Sequence, residues 1–175
     1  AGELTVALTV PERASTFKRA LVALPVGSRV RATGLGGDFV LPADPTRPLL
    51  LVAGGIGITP FAAQLAAAAS VGERRDVVLL YSVSDHADLA YADAARAAGA
   101  RVLVLSPTPA LDGLPDGWRH LGERRLSAEV LTDAVPDLDQ RDAYVSGPPA
   151  MVDDTRALLR RAGVRRVRTD AFSGY

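Results

Sequence analysis

Apolar positions are arranged in two ways along this chain, and the change comes near Pro48. Before it, residues 4–10 alternate large apolar side chains with small or hydroxyl ones, the period of a strand with one face in a core. Ser15 or Thr16 can cap a short helix whose apolar face is Phe17, Leu21 and Leu24, with Pro25 and Gly27 closing it. Residues 29–33 read as another strand, 34–38 as a turn and 39–41 as a short extended piece. After Pro48 the pattern becomes strand, helix, strand, helix. Strands are predicted at 49–53, 76–82, 101–105, 142–146 and 166–170, and helices at 59–70, 87–98, 127–134 and 149–162. Residues 106–125 are dense in turn formers and read as loop. Repeated βα units predict an α/β domain with a five-stranded parallel, doubly wound sheet. Two domains are expected, 1–47 and 48–175.

The run Leu49 to Ala53 shows no polar alternation, as suits a strand covered on both faces. Gly54, Gly55 and Gly57 follow it at once. Glycines there allow backbone angles closed to other residues and clear side chains from a close ligand. Thr59 can cap the next helix, and Pro60 suits its first turn. The product is a set of unpaired N–H groups at a positive helix end, a place for a phosphate. Residues 142–151 repeat the plan: Ser146 ends a strand, and Gly147, Pro148 and Pro149 make a stiff turn into a helix. Met151, Thr155, Leu158, Leu159 and Ala162 form that helix's buried stripe. The chain ends with two aromatics, Phe172 and Tyr175, suited to stacking on a planar ring.

Composition narrows the chemistry. The 175 residues carry 20 acidic and 20 basic side chains, so no overall field favours nucleic acid or a membrane surface. There is no cysteine, which excludes disulfides, thiolate zinc sites and iron–sulfur clusters in this chain, and two histidines are too few for a histidine metal site. No signal peptide and no span of about 20 apolar residues is present. The glycine stretch also lacks the lysine and following hydroxyl of a P-loop phosphotransferase. Six arginines lie between Arg156 and Arg168, either as a solvated face or as a docking patch for an acidic carrier.

Taken in order, Gly54 to Pro60, Ser146 to Met151 and Asp170 to Tyr175 resemble the motifs of the ferredoxin–NADP reductase superfamily. Ser15 to Leu21, Val26 to Val30 and Gly37 to Phe39 resemble the end of that family's flavin barrel. The resemblance implies a partial antiparallel β-barrel for FAD in residues 1–47, then an NAD(P)H-binding domain. It implies a reductase that passes a hydride from NAD(P)H to FAD and electrons onward to a redox partner. By the same resemblance, Gly54, Gly55, Gly57, Thr59 and Pro60 would cradle the pyrophosphate and the nicotinamide side. Ser146, Gly147, Pro148, Pro149 and Met151 would line the nicotinamide pocket, and Ser15 and Thr16 would touch the FAD pyrophosphate. Phe172 would cover the flavin ring, with Tyr175 its competitor.

Three departures accompany the resemblance. The family's Arg-x-Tyr-Ser barrel segment has no counterpart here, Ser146 stands where cysteine is common, and Ser106-Pro107 stands where a serine–arginine pair selects the 2′-phosphate. Arg119 is an alternative phosphate partner or a surface loop residue, and Asp85 a ribose ligand or a helix cap. The expected partner is an electron-acceptor protein or domain, or a missing N-terminal part of the same polypeptide, with no nucleic acid and no membrane contact by this chain. The expected place is the cytoplasm, free or as the cytoplasmic domain of a membrane protein. The rival reading is a non-catalytic nucleotide-binding or docking module that retains no flavin.

Overall fold

The computed structural model describes residues 10, 13–33, 36–108, 113–122 and 126–172. They fall into two compact units, one up to Asp38 and the other from Phe39 onward.

In the first unit the only regular element among the described residues is α1, Thr16–Val22. Ser15 caps it as expected, its hydroxyl accepting from the Lys18 N–H at 3.3 Å. The helix buries none of its residues, and Phe17 is 68% exposed, so its apolar face meets no core here. Residues 29–33 join no ladder, so the strand expected there does not form among the described residues. Most of the strand expected at 4–10 lies outside them.

The second unit holds β1 (Leu49–Gly54), α2 (Thr59–Ser70), β2 (Val77–Ser82), α3 (Ala92–Ala97), β3 (Arg101–Leu105), β4 (Arg119–His120), α4 (Ala128–Ala134), β5 (Asp142–Gly147), α5 (Pro149–Arg161) and β6 (Val167–Ala171). The strands form one parallel sheet in the order β4-β3-β2-β1-β5-β6. The α/β architecture is the expected one, with a sixth strand in place of five. Strand β4 falls in the segment expected to be loop. Its two residues are too few to show a period, and it exists through pairing with Leu103 and Val104 and the Leu121 N–H bond to the Val104 carbonyl at 2.8 Å.

Successive strand residues serve opposite layers. Leu50, Val52, Leu80, Leu103 and Val145 pack with Leu131 of α4 and with Val152 and Leu159 of α5. Leu49, Leu51, Leu79, Val104 and Tyr144 pack with Phe61 and Leu65 of α2 and with Ala95 of α3. Every residue of β1 is buried, which explains its unbroken apolar run.

Two polar side chains fix the borders of this core. Gln64, in the alanine-rich α2, accepts from the Leu41 N–H at 2.7 Å and donates to the Phe39 carbonyl at 3.1 Å. The segment is thereby held so that the Phe39 ring lies 5.7 Å from Phe61 and 5.6 Å from Tyr144. At the amino end of the sheet, buried Arg141 donates to both oxygens of Asp76 (3.0 and 2.9 Å), both of Asp137 (2.9 and 2.7 Å) and the Leu49 carbonyl (3.1 Å). One guanidinium thus ties β1 to the segments before β2 and β5. Its hydrogen bonds hold the Asp137 carboxyl below the usual carboxylate range.

Arg141→Met should therefore lower stability at pH 7 by about 2 kcal/mol in urea unfolding. A depressed folded-state pKa adds stability that is complete above the unfolded value of about 3.9 and is lost as pH falls through the folded value. The variant's acid-side loss of stability should accordingly be shallower than the parent's. Parallel acid limbs would refute the linkage.

Candidate functional site

From β1 the connections run outward through β2 and β3 to β4, whereas β5 lies on the other side of β1 and leads to β6. The crevice beyond the carboxyl ends of β1 and β5 is the place where open α/β sheets of this kind bind ligands. The turns after these two strands carry most of the residues singled out in the sequence.

Residues Gly55–Ile58 wind as a 3-10 turn directly into α2. Thr59 therefore does not cap the helix. It has helical angles (φ −57°, ψ −46°), and its N–H already donates to the Ile56 carbonyl. The wound segment starts four residues earlier, so its leading N–H groups belong to the glycine turn. Pro60 sits in the first turn of α2 as expected.

Three of the glycines are fixed by contact between the two turns. A Cβ on Gly57 would lie 2.2 Å from the Ser146 carbonyl oxygen and 2.8 Å from the Gly147 Cα. One on Gly147, at φ +155°, would lie 3.2 Å from the backbone of Gly54. One on Gly54 would meet Pro148 Cδ at 3.1 Å and the Met151 side chain at 3.2 Å. The chain itself fills the room that these glycines clear. Gly55 differs: it has φ +51° and nothing within 4 Å of the Cβ position, so it alone of the four leaves open space.

Ser146 is fully buried, and its hydroxyl has no hydrogen-bond partner among the described residues. A buried unpaired hydroxyl costs free energy unless something pairs with it. Strand alternation puts it on the Tyr144 face, the side of α2, beneath the glycine turn. Helix α5 begins at Pro148 and Pro149 with no side-chain cap. Two of its four leading positions therefore lack an N–H, which halves the donors available to an anion and favours a neutral polar group there. Phe172 is anchored at this edge by its N–H bond to the Gly147 carbonyl at 3.0 Å, with its side chain partly exposed.

A groove of about 850 Å³ leads away from the two turns on the α5 side of the sheet. Val52, Leu80, Leu105, Met151 and Leu158 line it together with Ser82, Ser106, Asp154 and Arg161. Met151 and Ser106 are thus brought to one cavity. Ser106 is buried, and its oxygen accepts from the Thr108 N–H at 3.2 Å, closing its own turn. Ser82, Asp154 and Arg161 were not foreseen. Position 154 could have been read from its place three residues beyond Met151, on the same helix side.

The remaining candidates lie elsewhere. Asp85 caps the next turn, accepting from the Ala87 N–H at 2.9 Å. Arg119 is an exposed residue of the edge strand β4, lining a separate cavity with His120 and Asp133. Ser15 and Thr16 belong to the first unit. Tyr175 lies outside the described residues. Among those residues no group of three metal-ligating side chains is present, and no helix is long and apolar enough to cross a membrane.

The sequence profile of the oxidoreductase NAD-binding domain matches residues 51–157. The toluate 1,2-dioxygenase electron transfer component of Pseudomonas putida is 31% identical over 147 residues, covering 80% of this chain and 40% of that protein. The aromatic O-demethylase reductase subunit of an Amycolatopsis species is 31% identical over 159 residues, covering 86% and 46%. The crystal structure of the Amycolatopsis cytochrome P450 reductase GcoB superposes with a TM-score of 0.66 at 27% identity, covering 87% of this chain and 46% of that one. The chain spans less than half the length of each of these relatives.

Contact between the turns separates the glycines by experiment. Gly57→Ala must displace backbone and should cost about 3 kcal/mol or more. Gly55→Ala meets no atom and should cost only the left-handed strain, about 1–2 kcal/mol. Equal losses in urea unfolding would show that the turns do not touch as described.

Proposed function

The chain belongs to the oxidoreductase NAD-binding domain family, and on that basis we propose that it is the NAD(P)H-binding part of an FAD-dependent electron-transfer reductase. The observation that carries the reading is the buried, unpartnered Ser146 hydroxyl at the switch point, beside an open Gly55 turn. The relatives named as electron transfer and reductase components support the same class.

When bound, NAD(P)H would supply a hydride and FAD would accept it, for electrons to pass on to an acceptor protein or domain. The chain's own work is binding and orientation. The Gly55 to Gly57 backbone and the start of α2, with Thr59 and Pro60, hold the pyrophosphate. Ser146 offers its unused hydroxyl to the carboxamide side of the nicotinamide, and the proline-blunted start of α5 takes a neutral ring in preference to a phosphate. Gly147, Pro148, Pro149 and Met151 wall that pocket. Phe172, tied to Gly147, covers the exposed side of the ring pair and shields it from water. Tyr175 is the alternative cover, and Ser15 and Thr16 are the residues assigned to the FAD pyrophosphate. Ser106 belongs to the dinucleotide's far end. Such a site needs two flat rings held about 3–3.5 Å apart and no strong acid or base. The acceptor and its docking partner are a protein or domain beyond this chain's own residues, and the cytoplasm is the proposed compartment.

Calorimetric titration with NADH and NADPH tests the reading, and retention of flavin after incubation with FAD and desalting tests the cofactor pair. At least one reduced dinucleotide should bind. Absence of binding by both removes the proposal. Ser146→Ala should make the free protein about 1 kcal/mol more stable, because it deletes an unpaired buried hydroxyl. The same variant should bind the dinucleotide more weakly. A variant that is no more stable and binds as well as the parent would show that Ser146 is only packing.

A further inference from the structure

The groove beside Met151 bears on which dinucleotide the site takes. Its near end is at the carboxyl ends of β1 and β5, where Met151 lies against Gly54. It then passes Ser82 at the end of β2 and reaches Ser106 just beyond β3. Two strand spacings, about 10 Å, separate β1 from β3. A dinucleotide that crosses the carboxyl edge of the sheet from Ser146, on the α2 side, would lay its adenosine half in this groove on the α5 side. This placement rests on the function proposed above.

The polar side chains lining this part of the groove are Ser82, Ser106, Asp154 and the buried Thr155, so one carboxylate stands among three hydroxyls. Ser106 already accepts from its own turn and keeps its O–H to donate. Asp154 lines the groove one turn from Met151 and enters no ion pair or hydrogen bond among the described residues. Among the described residues the one guanidinium in the lining, Arg161, is seven residues farther along α5, about 10.5 Å at 1.5 Å per residue. A carboxylate accepts hydrogen bonds from ribose hydroxyls and repels a phosphate at the same place. We propose that Asp154 is a specificity-determining residue, binding the adenosine ribose of NADH and excluding the 2′-phosphate of NADPH. Arg161, at the other end of the groove, takes no part in that discrimination.

Calorimetry on the whole chain tests this with four probes: NADH, NADPH, 5′-AMP and adenosine 2′,5′-bisphosphate. The parent should bind NADH about tenfold or more tightly than NADPH, and the bisphosphate should be disfavoured against 5′-AMP in the same sense. Asp154→Asn should shrink both ratios several-fold, and Arg161→Ala should leave them unchanged. Raised salt should narrow the parent's ratios and leave those of the Asn variant nearly constant. Asp154 is exposed on a helix, so its variant should keep the parent's circular dichroism. Equal affinity for NADH and NADPH, tighter NADPH binding that Arg161→Ala abolishes, or ratios unmoved by Asp154→Asn would each overturn the assignment. Those results leave the nicotinamide pocket standing, whereas failure of both dinucleotides to bind removes the proposed function as well.

Discussion

The second unit depends on one close approach of backbone to backbone. The turn after β1 and the turn after β5 meet at Gly57, Ser146 and Gly147, where even a methyl group would fall 2.2 Å from a carbonyl oxygen. Parallel pairing of β1 with β5 brings the two strand ends side by side, with Ala53 opposite Ser146. Both strands then turn into helices on opposite layers, α2 on one face and α5 on the other. The chain divides cleanly at that point only because no side chain stands between the turns. Ser146 is the cost of this arrangement: its hydroxyl is buried at the junction with no hydrogen-bond partner among the described residues.

The sheet is secured differently at its two ends. At the carboxyl edge the hold is steric, and no ion pair among the described residues closes the two turns on each other. At the amino edge it is electrostatic: Arg141 gathers Asp76, Asp137 and the Leu49 carbonyl, and Asp142 pairs with Arg47. Charges are thereby concentrated where no ligand is expected. The two turns at the ligand edge, residues 54–60 and 146–151, carry no charged side chain. That division suits chemistry carried by bound cofactors and positioned by shape.

Much of this was legible in the sequence, and the reasons differ by element. The run Leu49 to Ala53 announced a strand buried on both sides, and the apolar period from Met151 to Leu159 announced α5, because core burial imposes a period on any stretch long enough to show it. Strand β4 was invisible because two residues hold no period. Arg141 was not recognised because its role depends on carboxylates that the fold brings from positions 76 and 137. Gln64 broke an alanine-rich run, yet nothing local says that its amide clasps a segment 23 to 25 residues earlier. Thr59 and Pro60 looked like a helix start by residue type, but the preceding glycines were already wound, which moved the start upstream. The face of Phe17, Leu21 and Leu24 was real as a pattern, while its burial depends on neighbours that α1 does not meet among the described residues.

The interlocked glycines also change what a glycine signature can diagnose. Gly54, Gly57 and Gly147 are needed for the chain to fold back on itself whether or not a nucleotide ever arrives. A descendant that had abandoned redox work would keep all three under selection for folding alone, and a pattern search would still score it as a binder. Loss of function would first be written where folding demands least, at Ser146, and then at Gly55, where only left-handed backbone strain opposes a side chain. Replacement of Gly55 by a bulky residue, or of Ser146 by alanine, is the mark by which a retired copy of this domain could be told from a working one.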